Sequence, residues 1–292
     1  MSSLFDFDAL PDRYAVMGNP IAHSKSPQIH SAFAHQTDQR MEYTAIQVDP
    51  GGLKQAVGNF QANGGKGLNI TVPFKQDAWQ LVDKRSTDAE QAGAVNTIAL
   101  QADGKLYGDN TDGIGLVRDI TINNNTTITG KRILLMGAGG AARGVIRPLL
   151  AEQPARLVIV NRTADKATNL AAMFQPISDK SPNQKHCADI IEGCGYADLK
   201  GQQFDLIINA TAASLNGELP PLADGLLTNS ACCYDMMYGD KPTVFLEWAQ
   251  QQGAALCVDG LGMLVEQAAA SFELWRGIRP DSQAVIKQLR AR

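Results

Sequence analysis

Short apolar runs alternate with helical periodicity along most of the chain. In the first third, apolar runs bounded by turn residues predict strands at 14–17, 43–46 and 68–71. Amphipathic spacing between these runs predicts helices at roughly 27–36 and 53–62. Because strands and helices alternate, the pattern predicts an α/β fold with mainly parallel sheets.

The same alternation restarts near residue 132 and continues through the last third of the chain. The predicted strands of this part lie at 132–136, 157–160, 205–209, 232–235 and 256–258, and two final helices at 263–275 and 281–289. Before it, 95–100 and 105–108 predict a hairpin across the Asp103–Gly104 turn. The polar tract 123–127 predicts a surface loop.

Composition narrows the class of protein. At 292 residues the chain is long enough for two domains, and its net charge of −4 gives no electrostatic basis for binding nucleic acid or an anionic membrane. No window reaches the roughly 18 uninterrupted apolar residues of a spanning helix, and the acidic N-terminus is unlike a secretory signal. Five cysteines without paired spacing and four scattered histidines, His186 among them, predict a reduced, metal-free, cytoplasmic protein.

A glycine-rich turn follows the predicted strand at 132–136. Gly137, Gly139 and Ala142 fit the G-x-G-x-x-A pattern, in which glycines allow a tight turn and a close approach of backbone to pyrophosphate. The turn residues predicted to bind a dinucleotide are Gly137, Ala138, Gly139, Gly140 and Ala141. The alternative is a strand-to-helix turn without a ligand, and Pro148 is expected to kink the helix that follows.

The end of the next strand indicates which dinucleotide is favoured. NAD sites place an acidic residue there for the ribose hydroxyl, whereas this chain has Asn161, Arg162, Thr163 and, one turn later, Lys166. Two cations suit a 2′-phosphate, so the sequence favours NADP(H). Asp165 keeps the NAD alternative open.

The first half of the chain places polar residues at the predicted ends of strands. Ser24 and Ser26 come just before a helix, where hydroxyl and backbone N–H groups suit a carboxylate, and Ser26 is also predicted to be the N-cap before Pro27. Ordinary capping is the alternative for Ser26. The glycine-rich segment 64–67 leads into the predicted strand 68–71, which ends at Thr71, and Lys75 lies in the turn after it. It is a candidate acid or base, although a lone lysine is more often a solvated surface residue.

Asp112 belongs to a second polar segment, Gly108–Gly113, after the predicted hairpin. A calcium loop is the rival interpretation of this segment. Counted from Asp109, however, the twelfth position is Ile120, where such a loop requires glutamate. The sequence therefore predicts no metal site here.

Taken in order, eight segments resemble the shikimate dehydrogenase family over nearly the whole chain. These segments are 18–27, 69–75, 92–97, 108–113, 137–142, 161–163, 234–238 and 259–267. The resemblance implies reversible, NADPH-dependent reduction of 3-dehydroshikimate to shikimate, with a small-molecule substrate and either a monomer or a homodimer. It also implies an open, mainly parallel α/β substrate domain at 1–112 and 260–292, and a Rossmann-type NADP-binding domain at 113–259.

By motif match, the resemblance implies a role for individual residues. Lys75 and Asp112 form the catalytic pair, and Met236 and Gly260 line the nicotinamide side. The substrate ligands so implied are Ser24, Ser26, Thr71, Asn96, Asp112, Tyr238 and Gln267. Lys166 departs from the second arginine that relatives often carry, because lysine keeps the charge and loses the planar fork.

Three other functions are compatible with parts of the sequence. An NAD-preferring quinate/shikimate dehydrogenase is expected to carry an acidic residue near the position of Arg162. A non-catalytic ligand-binding regulator of the same fold has no need of Lys75 or Asp112, and both are present. An unrelated Rossmann oxidoreductase leaves the N-terminal motifs without a function.

Overall fold

The computed structural model of the chain describes residues 10–175, 190–213 and 217–291. The acidic N-terminal segment up to residue 9, His186 and Cys187 lie outside the described residues. Two compact units make up the fold: the first takes the chain up to Thr111 together with the part from Ala268 onwards, and the second is Asp112–Gln267. No helix in the described part of the chain is long and apolar enough to cross a membrane.

The first unit is a mixed six-stranded sheet with helices. Its strands are β1 Asp12–Gly18, β2 Met41–Gln47, β3 Gly65–Ile70, β4 Lys84–Arg85, β5 Thr97–Leu100 and β6 Leu106–Asp109. The helices before the second unit are α1 Ser26–Gln36, α2 Leu53–Ala62, α3 Lys75–Leu81 and α4 Thr87–Ala92. The strand order is β2-β1-β3-β5-β6-β4, and only β5 runs antiparallel to its two neighbours.

The second unit contains the strands of the Rossmann arrangement. Its strands are β7 Arg132–Met136, β8 Arg156–Val160, β9 Ile191–Cys194, β10 Phe204–Asn209, β11 Leu227–Asp235 and β12 Leu256–Val258. Its helices begin with α5 Asp112–Arg118, α6 Gly140–Ala151, α7 Ala164–Phe174 and α8 Val244–Gln251. The last two helices of the chain are α9 Leu261–Arg276 and α10 Ser282–Arg290.

All pairings in this second sheet are parallel, in the order β12-β11-β10-β7-β8-β9. This order reverses between β7 and β10, the switch point at which open α/β sheets bind ligands beyond their carboxyl ends. Alternate side chains of β7 enter different cores, Ile133 and Leu135 on one face and Leu134 and Met136 on the other. The sheet is therefore buried on both faces, as its continuous apolar strands predict.

The structure confirms the predicted α/β class with two mostly parallel sheets. It corrects the start of α1, because Lys25 is the N-cap and Ser26 the first helical residue. The Lys25 side chain makes no capping hydrogen bond, and the Ser24 hydroxyl oxygen accepts a hydrogen bond from the Ser26 backbone N–H at 3.3 Å. The predicted helix through Pro148 is present, and it continues to Ala151.

The predicted hairpin of β5 and β6 is confirmed, and Asp103 and Gly104 lie in its connection, the loop 101–105, which is closed by a hydrogen bond from Gln101 N–H to the Lys105 carbonyl. One further local prediction is wrong. Asn123 was predicted in a loop and is the last residue of a π-helix, Asp119–Asn123. The Asn123 amide donates to the carboxylates of Asp119, in the same helix, and Glu266, in α9. These two hydrogen bonds hold the polar tract's first residue in the helix.

Candidate active site

The polar residues predicted in the first half of the chain gather at one edge of the first sheet. The carboxyl ends of β1 and β3 and the start of β5 lie at this edge. Backbone hydrogen bonds join the loops there: Asn19 N–H donates to the Val72 carbonyl at 3.0 Å, and Ile70 N–H to the Asn96 carbonyl at 2.8 Å. Residues far apart in sequence therefore share one surface, which we call the β1–β3 edge.

Ser24 and Ser26 occupy the turn between β1 and α1. Ser24 is half-buried, whereas Ser26 is 8% exposed and its hydroxyl is hydrogen-bonded to the side chain of Tyr43. The two serines thus differ in their surroundings. Ser24 lies nearer to solvent, and Ser26 is tied to β2.

Lys75 begins α3, directly after the turn that leaves β3. Phe74 N–H donates to the Thr71 carbonyl at 3.0 Å, and the Lys75 carbonyl accepts from Val95 N–H at 2.9 Å. Phe74 is buried, so it anchors the turn while Lys75 and Thr71 stay half-buried. The lysine is consequently held at a fixed backbone position on the β1–β3 edge.

A buried polar network lies behind this edge, and its centre was not predicted from the sequence. Tyr43 donates a hydrogen bond to Asn69 Oδ1 at 2.7 Å, and Asn69 Nδ2 donates to Thr97 Oγ1 at 3.1 Å and Ser271 Oγ at 3.0 Å. Burial raises the pKa of Tyr43 well above its ordinary value. The sequence signal for this centre is Asn69, a polar residue between Leu68 and Ile70 and the first residue of the segment 69–75.

Asn96 links this network to the segment before Asp112. Its Oδ1 accepts from Thr111 N–H at 2.9 Å and from Thr97 Oγ1 at 2.9 Å, and its Nδ2 donates to Thr111 Oγ1 at 3.1 Å. Asn96 is 3% exposed and Thr111 is equally buried. Asp112 follows as the half-buried first residue of α5.

The glycine turn in the second unit lies at the carboxyl end of β7. Gly137 has φ of 107°, a conformation that favours glycine, and its N–H donates to the Val160 carbonyl at 2.8 Å. A Cβ at Gly139 or Gly140 would meet no protein atom within 4 Å. Protein packing therefore does not require these two glycines, whereas a ligand approaching the backbone would. Ala142 is fully buried, as the motif predicts.

The basic residues lie beyond β8, at the neighbouring strand end. Arg162 and Lys166 are both exposed, and α7 begins between them at Ala164. The Asn161 amide donates to the Thr163 carbonyl at 3.0 Å and shapes this turn. Burial raises the pKa of Tyr196 to about 12, and the charge of Arg162 opposes that rise. The turn thus exposes two cationic side chains.

Met236 and Gly260 meet at the ends of β11 and β12. A Cβ at Gly260 would clash with the carbonyl group of Met236, so only glycine allows this approach. Met236 N–H donates to the Asn209 carbonyl at 3.0 Å, which ties the turn to β10. Tyr238 follows and is 37% exposed. The structure therefore brings these residues to the same sheet edge as the glycine turn.

Gln267 belongs to α9, whose first part packs against α5. A Cβ at Gly115 would lie 2.8 Å from the Gln267 Cβ, so α5 and α9 touch at this point. Gln267 Nε2 donates to the Leu264 carbonyl at 2.8 Å. The preceding Glu266 is fully buried and accepts from Arg118 Nε at 3.0 Å. Within the described residues, no group of three His, Cys, Asp or Glu side chains could hold a metal ion.

Three family models match the chain. They are the shikimate dehydrogenase substrate binding domain over residues 16–98, shikimate/quinate 5-dehydrogenase over 120–216 and the shikimate 5'-dehydrogenase C-terminal domain over 260–290. A relative from Nitrosococcus oceani, named shikimate dehydrogenase (NADP(+)), is 57% identical over 96% of this chain and 96% of its own. One of the same name from Hahella chejuensis is 55% identical over 96% of this chain and 98% of its own.

A crystal structure also resembles the chain. It is titled shikimate dehydrogenase in complex with NADP+, and it superposes with a TM-score of 0.82 at 33% identity, over 96% of this chain and 95% of that one. The similarity therefore extends over both units of the chain.

Proposed function

We propose that this chain, which belongs to the shikimate dehydrogenase family, catalyses the reversible, NADPH-dependent reduction of 3-dehydroshikimate to shikimate. The observation that carries this proposal is 57% identity, over nearly the full length of both chains, to a relative named for this activity and cofactor. The substrate is a small polyhydroxylated ring with one carboxylate. Ser24 and Ser26 are proposed to bind that carboxylate at the N-terminus of α1.

The chemistry assigned to Lys75 and Asp112 follows from where charge develops. Negative charge builds on the carbonyl oxygen of the ring as the carbonyl carbon is reduced. The Lys75 ammonium stabilises that charge and delivers a proton to the oxygen. Asp112 accepts hydrogen bonds from the ring hydroxyls and shares this proton network. Thr71, Asn96, Tyr238 and Gln267 are proposed to contact the remaining ring oxygens.

The residues of the second unit fit NADP(H), which supplies the hydride when bound. Open space at Gly139 and Gly140 allows a pyrophosphate to approach the backbone at the N-terminus of the twelve-residue α6. The proposal assigns this contact to the five turn residues at 137–141. Exposed Arg162 and Lys166, with Asn161 and Thr163 shaping the turn, are proposed to bind the 2′-phosphate, and Met236 and Gly260 to border the nicotinamide.

The cellular location and the oligomeric state are also proposals. The four described cysteines, Cys194, Cys232, Cys233 and Cys257, are all free thiols, which supports a reducing, cytoplasmic location. Burial raises the pKa of Cys232 to about 12, so this thiol is unreactive at neutral pH. A monomer or a homodimer is proposed for the oligomeric state.

The proposed reaction is tested by following the reduction of NADP+ with shikimate through the absorbance of the reduced nicotinamide. The same assay with NAD+ and with quinate tests the NAD-preferring quinate/shikimate alternative. We expect shikimate with NADP+ to give the highest kcat/KM of the four combinations. An absence of turnover with every pair would overturn the proposed function.

The role of Lys75 is tested by Lys75→Ala. We expect kcat to fall by about 10²–10⁴, the usual contribution of a general acid or base, with little change in KM. Lys66→Ala is the matched control, since Lys66 is an exposed lysine of β3 in the same unit. A near-normal kcat in Lys75→Ala would remove this lysine from the chemistry.

A further inference from the structure

We propose that Thr111 is a positioning residue for Asp112. The hydroxyl and the backbone N–H of Thr111 are both hydrogen-bonded to Asn96. These bonds hold the main chain directly before Asp112 and so fix the position of the Asp112 carboxylate. This inference rests on the proposed function, because it gives Asp112 a catalytic role. Thr111 itself is not required to touch the substrate.

The contact between Thr111 and Asn96 is reciprocal. Thr111 N–H donates to Asn96 Oδ1 at 2.9 Å, while Asn96 Nδ2 donates to Thr111 Oγ1 at 3.1 Å. The Thr111 hydroxyl also lies 3.3 Å from Ser271 Oγ. Because Thr111 is 3% exposed, water does not compete readily for these bonds. Both the main chain and the side chain of Thr111 are therefore restrained.

Asn96 is itself a rigid partner. Its N–H donates to the Asp109 carbonyl at 3.0 Å, and its carbonyl accepts from Ile70 N–H at 2.8 Å, so β3 and the end of β6 fix it on two sides. One residue before Thr111, the Asn110 amide donates to the Ala94 carbonyl at 3.1 Å. The segment that ends at Thr111 is thus bonded at successive residues to the segment that leads into β5.

The position of Asp112 depends on this segment because Asp112 directly follows Thr111 in the chain. A catalytic group displaced by about 1 Å can lose up to about 10²-fold in rate. Loss of the Thr111 hydroxyl removes its side-chain hydrogen bonds to Asn96, Thr97 and Ser271. The backbone bond from Thr111 N–H to Asn96 Oδ1 remains. We therefore expect an effect on the chemical step rather than on cofactor binding.

The test is Thr111→Val, which keeps the branched shape and removes the hydroxyl, beside Thr111→Ser, which restores the hydroxyl. We expect Thr111→Val to lower kcat about tenfold, with KM for NADP+ changed less than about twofold. Thr111→Ser is expected to recover most of the lost kcat. Thr37→Val is the matched control, because it removes a part-buried threonine hydroxyl that donates to the Phe33 carbonyl at 2.7 Å, at the C-terminal end of α1.

Melting temperatures of all variants separate positioning from stability. A tenfold loss in Thr111→Val, rescued by serine and absent from Thr37→Val at a similar loss of melting temperature, supports the inference. Normal kcat in folded Thr111→Val, or an equal loss in the control, overturns it. If Thr111→Val does not fold, Thr111→Ser decides, because failure of serine to keep near-normal kcat also overturns it.

Asp112→Asn distinguishes this inference from the proposed function. Loss of turnover in Asp112→Asn with normal Thr111→Val contradicts only the positioning role. Normal turnover in Asp112→Asn contradicts the catalytic role of Asp112, and the inference fails with it.

Discussion

His30 is a buried histidine whose surroundings fix its charge. It is fully buried, and its ring stacks on Tyr43 with centroids 4.1 Å apart and an interplanar angle of 7°. Neither ring nitrogen has a hydrogen-bond partner in the described part of the structure. Burial lowers the pKa of His30 to about 3. The imidazole is therefore neutral in the folded protein at physiological pH.

This shift makes stability depend on pH with a definite sign. Between the unfolded pKa of about 6.5 and the folded value, the unfolded chain binds a proton that the folded chain does not, so stability falls as the pH falls. His30→Phe removes this contribution. From pH 7 to pH 5, urea unfolding should show the variant gaining about 2 kcal/mol relative to the unmodified protein. An equal difference at both pH values would contradict the prediction.

At the residue scale, sequence patterns identified groups but not their partners. Lys75, Asp112 and the glycine turn stand in recognisable motifs, and Asn69 opens one of them. The hydrogen bonds that join Asn69 to Tyr43 and Ser271 are visible only in the structure. Gly67 shows the same limit, since a Cβ there would lie 2.5 Å from the indole Nε1 of Trp275. A contact between residues so distant in sequence leaves no local pattern.

The packing of α7 against β9 depends on one glycine, Gly193. A Cβ at Gly193 would clash with the backbone of Ala167, which is fully buried in α7. The Gly193 carbonyl also accepts from Thr168 Oγ1 at 3.2 Å. Because backbone atoms cannot rotate away, helix and strand would have to separate. The first turn of α7 carries Lys166, so this spacing reaches the proposed phosphate contact.

We expect Gly193→Ala to destabilise the protein by about 1–3 kcal/mol and to raise KM for NADP+. Gly58→Ala is the matched control, because Gly58 is exposed in α2 and a Cβ there meets no atom within 4 Å. That variant should gain about 0.5–1 kcal/mol from helix propensity. Thermal melts and cofactor titrations measure both effects. Equal stability changes would show that the close approach in β9 is easily relieved.

At the element scale, apolar strands and the longer amphipathic helix α2 were predictable, whereas short helices were not. The strands β7 and β12 and the helix α2 have the predicted bounds. The helices α3, α4 and α5, of six or seven residues, were not predicted. Two turns of helix give too few apolar positions for a period to be recognised. Their ends matter most for the proposed site, because α3 and α5 begin at Lys75 and Asp112.

On the scale of the whole molecule, two separate stretches of chain build the first unit. Phe272 is fully buried there, and Trp275 Nε1 donates to the Ile98 carbonyl at 3.0 Å. The family resemblance predicts a discontinuous first domain with boundaries at 112 and 260, and those boundaries stay predictions. The compact units divide after Thr111 and Gln267. Hydrophobic pattern alone gave no sign of this discontinuity, because it records elements and not their order in space.

Truncation after Gln267 tests how the units depend on the chain. We expect the first unit to unfold, since loss of Phe272 alone removes about 3–5 kcal/mol. The second unit keeps both of its cores, so NADPH binding should persist while shikimate-dependent turnover disappears. Fluorescence titration with NADPH and near-ultraviolet circular dichroism measure the two outcomes. Turnover by the truncated chain would contradict this expectation.

The late position of Trp275 in the chain has a consequence for biosynthesis. The strands β1 to β6 leave the ribosome first, yet the indole that fills the space beside Gly67 is synthesised after the entire second unit. Domains generally fold as units while the chain is being made. The first unit therefore stays incomplete during synthesis until the second unit, which lies between its two stretches of chain, has been made and can fold.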